Sequence, residues 1–249
     1  MDFFLKAVGF ILSGLILANS AMAGDLHKAV RNGDIEQVRA LVAEGLNVAE
    51  LDKAVGAPLH WAAARGHQEV AVFLLESGAD VNQKALPPDN LTPLHFAATS
   101  GHPALAAVLV DAGADLEAGA GSTGTPLHLA AQSNNIEVVD YLLDAGADIN
   151  AKAKDGPYAS SPLDYAAQAG AADAITLLLK NGYPINTANE ATGITALHLA
   201  VFNAQADAVR VLIGAGADPR AESSKLETPF DLSQDNTEMK DLFAELGIK

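Results

Sequence analysis

Thr125-Pro126-Leu127-His128-Leu129-Ala130-Ala131 opens a stretch that runs through Ile136, Val139, Leu142 and Leu143 to Gly146-Ala147-Asp148-Ile149-Asn150. Each part predicts its own local structure. Thr125 suits the N-cap of a helix, where it accepts a backbone hydrogen bond, and Pro126 suits the first helical position, where its missing N–H costs nothing. Leu127, Ala130 and Ala131 then form a compact inner face, and small alanines let adjacent helices approach closely. Ile136, Val139, Leu142 and Leu143 recur at helical spacing and mark a second helix, which Gly146 ends by supplying a left-handed conformation. The unit is helix, tight turn, helix and projecting finger.

The opening phrase recurs along the chain. Its fourth residue is His27, His60, His95, His128, Asp164, His198 or Asp231, so the interval varies between 33 and 36 residues. A fixed period in this range means a solenoid, in which each unit buries its apolar face only against its neighbours. The helix-ending glycine returns as Gly45, Gly78, Gly113, Gly182 and Gly216, and the turn between helices carries Gly33, Gly66, Gly101 and Gly170. Asn134 and Ala204 stand where that turn expects glycine; asparagine tolerates such a backbone, whereas Ala204 predicts a rearranged turn. Fingers lengthened around Ala85 to Leu91 and Lys154 to Ser160 account for the longer intervals.

The expectation is one elongated all-α domain over residues 24–249, a solenoid of about seven helix-turn-helix units with short β-turn or hairpin fingers. The units fall at 24–56, 57–91, 92–124, 125–160, 161–194, 195–227 and 228–249. The first lacks the Thr-Pro start, and the last ends in a helix bearing Glu238, Lys240, Asp241 and Glu245. Both read as caps, as the ends of a solenoid require.

On these residues the chain resembles the ankyrin-repeat family, whose signature T-P-L-H-x-A with a later L-L-x-x-G-A-D-x-N is matched nearly verbatim by Thr125 to Asn150 and by Ala57 to Asn82. The resemblance covers residues 24–249. It implies that the histidine slot is structural, its imidazole hydrogen-bonding the neighbouring turn. It also implies that a protein partner binds on the concave side, at the finger tips and the exposed end of each first helix.

Residues 1–23 differ from the rest: Lys6 near the start, an apolar run from Ala7 to Ala18, then Ala21-Met22-Ala23. This pattern predicts a secretory signal cleaved before Gly24, with an uncleaved anchor as the alternative and no other membrane contact. Fifteen basic against 31 acidic residues give a net charge of −16, which disfavours nucleic acid as a partner. A solvated, self-repelling surface explains the acidity, with attraction to a basic partner as the sharper alternative. No cysteine is present, so neither a disulfide nor a thiolate zinc site can form.

Five of the seven histidines, His27, His60, His95, His128 and His198, share one slot of the repeat. Stacked helices lie about 8–10 Å apart, too far for equivalent imidazoles to share a zinc ion. His67 and His102 read as turn residues. Asp80, Asp115, Asp148 and Asp218 lack the dense loop that gathers calcium ligands and read as finger-turn residues. No nucleophile elbow, zincin pair or phosphate loop is present, so the sequence predicts no catalytic residue, metal or cofactor. A metal-dependent enzyme is the alternative that metal analysis of purified protein would test.

The helix-end pairs are Ala64-Arg65, Thr99-Ser100, Gln132-Ser133, Gln168-Ala169 and Phe202-Asn203. Interface energy concentrates in a few aromatic and arginine residues, so Arg65, Tyr158 and Phe202 are the preferred anchors, with Trp61 a weaker candidate. Packing of Phe202 into an irregular turn beside Ala204, and a stiffening role for Tyr158, are the competing explanations. The functional expectation is a monomeric, non-enzymatic recognition protein of the bacterial periplasm. Exported bacterial proteins similar to it serve in peroxide defence or toxin neutralisation; a secreted effector imitating host surfaces is the alternative.

Overall fold

The Thr-Pro-Leu-His phrases do start helices, but the histidine shares the capping. In the computed structural model, Pro126 is the first residue of a helix whose N-cap, Thr125, is extended at φ −91° and ψ 169°. The Thr125 N–H donates to Nδ1 of His128 at 3.1 Å, and the threonine hydroxyl lies 2.9 Å from the same nitrogen. Thr92 with His95 and Thr195 with His198 repeat the arrangement. Where Asp164 replaces histidine, its Oδ2 accepts from the N–H and hydroxyl of Ser161 at 3.0 and 2.8 Å, and the serine hydroxyl accepts the Asp164 N–H in return.

The structure describes residues 24–52, 54–87, 90–119, 123–153 and 161–248. The apolar segment 1–23, the second lengthened finger and Tyr158 lie outside the described residues. The elements are helices in pairs: α1 (24–32) with α2 (Ile35–Ala43), α3 (Pro58–Arg65) with α4 (Gln68–Glu76), and α5 (Pro93–Ser100) with α6 (Pro103–Asp111). Then come α7 (Pro126–Gln132) with α8 (Ile136–Asp144), α9 (Pro162–Ala169) with α10 (Ala172–Lys180), α11 (Ala196–Phe202) with α12 (Ala206–Gly214), and α13 (Pro229–Ser233) with α14 (Thr237–Glu245).

Helices this short are marginal in water on their own, so stacking must hold them. First helices pack on first helices, from α3 through α5, α7, α9 and α11 to α13, and second helices stack in a parallel row from α2 to α12. Ala62, Ala63, Ala97, Ala98, Ala130, Ala131, Ala166 and Ala167 are wholly inaccessible in this row, and the equivalent slot is filled by the buried Val30 in α1 and Val201 in α11. One continuous apolar cluster runs from Leu26 in α1 to Phe243 in α14. Glu238, Lys240, Asp241 and Glu245 of α14 are exposed, as a closing cap requires.

Two local expectations are corrected. Ile136 is 37% exposed, and the second helix of that repeat buries Val138, Val139 and Leu142 instead. Ile136 is the first residue of α8, where the face turned to the core has not yet begun. Ala204 does not rearrange its turn; it adopts φ +53° in place, close to the +72° of Gly101 and the +56° of Asn134. The turn hydrogen bond survives, with Gln205 N–H donating to the Ala200 carbonyl at 2.9 Å as His102 N–H does to Ala97 at 3.1 Å. The stacked neighbours impose the register, and the alanine bears the strain.

The fingers are pinched loops. The Ala85 N–H donates to the Leu91 carbonyl at 2.8 Å and the Asn189 N–H to Ile194 at 2.8 Å, while a lone antiparallel bridge joins Ala188 and Thr195. No extended strand occurs among the described residues. Neighbouring fingers are clamped by side chains: Asn82 donates to the Gly113 carbonyl at 3.1 Å and accepts the Asp115 N–H at 2.9 Å. Asn186 does the same for Gly216 and Asp218, and Glu117 accepts the Asp148 N–H. Asp80, Asp115, Asp148 and Asp218 each accept a backbone N–H two residues on, so they act in the finger turns.

Candidate recognition face

The histidine slot couples each first helix to the next finger. Because Nδ1 accepts a backbone N–H, the other nitrogen must carry the proton and donate. His60 Nε2 donates to the carbonyls of Gln83 and Leu91 at 3.0 and 3.2 Å, His95 to Gly124 at 3.2 Å, and His198 to Glu227 at 3.1 Å. Burial disfavours a second proton and lowers the pKa of His60 and His198, and takes His95 down to about 4. These imidazoles are neutral structural clasps, with both nitrogens engaged.

The residue following each clasp occupies one equivalent position on successive first helices. Trp61 and Phe96 are half-buried there, while Leu129, Tyr165 and Leu199 are nearly covered. Phe96 meets His60 edge-on at 5.6 Å and Tyr165 meets His128 at 5.0 Å, so the clasps also fix this row of side chains. Trp61 is held further: its indole N–H donates to Asp52 Oδ2 at 2.6 Å, and Arg31 lies 5.5 Å over its ring. Burial works to raise the Asp52 pKa, but donation from the N–H groups of Val55, Gly56 and Ala54 and from Trp61 outweighs it and holds the carboxylate below its usual range.

One turn farther on stand the anticipated helix-end residues. Arg65, Thr99, Ser100, Gln132, Ser133, Gln168 and Phe202 are exposed, and Asn203 is half-buried. The turns behind them are tied down by the next repeat. Asn135 donates to the carbonyls of Ala98 and Thr99 at 2.8 and 2.9 Å, Gln205 to Gln168 at 3.3 Å, and His67 to Arg31 at 3.1 Å. Thr99 and Asn203 also bond back to their own helices. The carbonyls of Arg31, Ala98, Thr99 and Gln168 are therefore satisfied within the stack, while the side chains of the row face solvent.

Phe202 is 77% exposed, so it does not pack into the turn beside Ala204. A second bare side chain, Leu226, is 74% exposed at φ +62° on the finger between α12 and α13. The sequence reading passed over Leu226, Lys28 and Arg31. Arg31 occupies in the first repeat the slot of Gln132 and Phe202, and aligning that atypical repeat by its histidine would have found it.

Charge is segregated. Along α3, α5, α7, α9 and α11 the charged residues are Arg65 and the buried capping Asp164. The second helices carry Glu36, Glu69, Glu137, Asp140, Asp173 and Asp207, all exposed. Among the described residues no group of three histidine or acidic side chains is placed to hold a metal ion, and no helix is long and apolar enough to cross a membrane.

A stack of helix pairs with a row of exposed side chains at the ends of the first helices defines a helical-repeat solenoid. Ankyrin-repeat family models match residues 25–85, 83–153 and 154–223, and the chain belongs to the ankyrin-repeat family. The crystal structure of the human ASB11 ankyrin repeat domain superposes with a TM-score of 0.75 at 26% identity, covering 88% of this chain and 96% of that one. A probable E3 ubiquitin-protein ligase of rice (Oryza sativa subsp. japonica) is 40% identical over 78 residues, 30% of this chain and 16% of the rice protein. Human protein phosphatase 1 regulatory subunit 27 is 40% identical over 55 residues, 22% of this chain and 36% of that protein. The matches thus span a minor part of those relatives.

Ankyrin repeats point to a protein-interaction module, and the fold is typically a non-enzymatic scaffold.

Proposed function

We propose that this chain is a non-enzymatic binding protein, exported to the bacterial periplasm, which holds a protein partner on its inner face and finger tips. The observation that carries the proposal is the bare Phe202, 77% exposed at the end of a helix whose other apolar side chains are covered. Exposure of a large aromatic ring to water is unfavourable in isolation and useful as an interface anchor. Arg65, Thr99, Ser100, Gln132, Ser133, Gln168 and Asn203 supply the surrounding contacts, and Tyr158 is a further candidate anchor. Peroxide defence or toxin neutralisation is the role in which we place it.

Affinity capture from a periplasmic extract tests this directly. The wild-type chain is expected to retain a protein partner that the double variant Arg65→Glu, Phe202→Ala loses. Equal retention by both would remove the inner-face assignment. Cell fractionation tests the location: protein recovered in culture medium or host cells, and not in periplasmic extract, would replace the periplasmic role with that of a secreted effector.

A further inference from the structure

The chain has 31 acidic and 15 basic residues, yet among the described residues Lys28, Arg31 and Arg65, on the first-helix side, form no ion pair. By contrast Arg39 pairs with Glu69 at 3.7 Å, and Arg210 with Glu245 in a two-pronged contact at 2.9 and 3.0 Å. Lys28, Arg31 and Arg65 are nonetheless contiguous. Lys28 and Arg31 are one turn apart on α1, Arg31 stacks over Trp61, and Arg65 follows Trp61 by one turn of α3.

Asp52, the nearby carboxylate, is already committed. Its Oδ1 accepts the N–H groups of Ala54, Val55 and Gly56 at 3.0, 2.8 and 2.9 Å, and its Oδ2 holds Trp61. The indole is thereby fixed, and the arginine lying on it is partly ordered in advance. A planar guanidinium so placed suits two-pronged recognition of a carboxylate.

We propose that the N-terminal end of the inner face, Lys28, Arg31, Trp61 and Arg65, is a carboxylate-recognition site that seats an acidic segment of a protein partner. It rests on the inner-face reading proposed above and adds the chemistry and direction of the occupant. The face is cationic at α1 and α3, uncharged along α5 to α11, and apolar at Phe202. Four helix steps of about 8–10 Å separate α3 from α11, a span of roughly 10–12 residues of extended chain. The matching segment has Asp or Glu at one end and apolar side chains toward the other. The net negative charge opposes its approach at long range, but that field is screened beyond about 8 Å at physiological salt.

A displayed library of random peptides, panned on the purified full chain, supplies the test. The selected pool is expected to be enriched in Asp and Glu, and binding should weaken about tenfold or more, some 1.4 kcal/mol, in Arg31→Glu, Arg65→Glu. Raising salt should weaken it too, and circular dichroism should show that this variant of exposed residues still folds. A pool without acidic enrichment that is lost in Phe202→Ala overturns the carboxylate site and leaves the inner-face reading standing. A pool indifferent to all three substitutions overturns both. An acidic pool that binds the charge-reversed variant undiminished overturns the placement at Arg31 and Arg65.

Discussion

His95 joins its own helix to the next finger through a single ring, accepting the Thr92 N–H at 3.1 Å and donating to the Gly124 carbonyl at 3.2 Å. Replacing it by alanine leaves a buried donor and a buried acceptor without partners. His95→Ala is expected to lower unfolding free energy by about 2–4 kcal/mol, whereas Gln132→Ala, on the exposed row, should stay within about 0.5 kcal/mol. Urea unfolding of the two variants checks the contrast.

The same clasps predict acid sensitivity. His60, His95 and His198 have folded pKa values below the ordinary 6.5, because burial penalises the charged ring, with His95 near 4. The unfolded chain therefore binds more protons between these values, and stability must fall as pH drops through that window. Above pH 6.5 the contribution is fully present. Each histidine can contribute a slope of at most about 1.4 kcal/mol per pH unit. Asp52 and Asp231, whose pKa values are held low, release their share only at more acid pH. Denaturant midpoints measured from pH 7.5 to pH 4.5 should decline; a flat profile would contradict neutral buried imidazoles.

Ala204 at φ +53° and Gly101 at φ +72° occupy equivalent turns and should respond in opposite senses. Ala204→Gly relieves a left-handed alanine that costs about 1–2 kcal/mol, offset by the extra freedom of unfolded glycine, for a net gain of up to about 1 kcal/mol. Gly101→Ala places a Cβ 2.8 Å from Asn135 Oδ1 and disturbs the side chain that holds the Ala98 and Thr99 carbonyls. That variant should lose more than about 1 kcal/mol. Thermal melts in parallel give the sign of each.

Phe202→Ala separates recognition from stability. Because the ring is 77% exposed, its removal should change stability by less than about 0.5 kcal/mol. If it anchors a partner, binding should fall by about 2 kcal/mol or more, roughly thirtyfold. Calorimetric titration of a captured partner against both proteins gives the second number.

The repeat was legible because two chemical needs recur at a fixed period. Glycine or asparagine marks most of the left-handed turns, and Thr-Pro-Leu-His or a close variant marks the first helix of each repeat from α3 onward. Ala204 misled because the pattern shows what a residue prefers, while stacked neighbours determine what it adopts. Ile136 misled for a similar reason, since periodicity gives a helix face but not the residue at which that face begins. The exposed row was found by its slot in the repeat, yet whether Phe202 was bare or packed depended on the turn beside it. Arg31 was passed over because its repeat lacks the Thr-Pro start, and its stacking on Trp61 is a relation between repeats that no local pattern records.

Asn82 clamping the finger of the following repeat, with Asn186 doing so farther along, has a mechanical corollary. Substantial packing of each helix is confined to its own or an adjoining repeat. Tension applied at the two ends would therefore load these clamps in series, and each repeat that yields would release about 33 residues, roughly 110 Å of contour. Under load the molecule behaves as a row of small latches, lengthening stepwise while the unopened remainder keeps its shape.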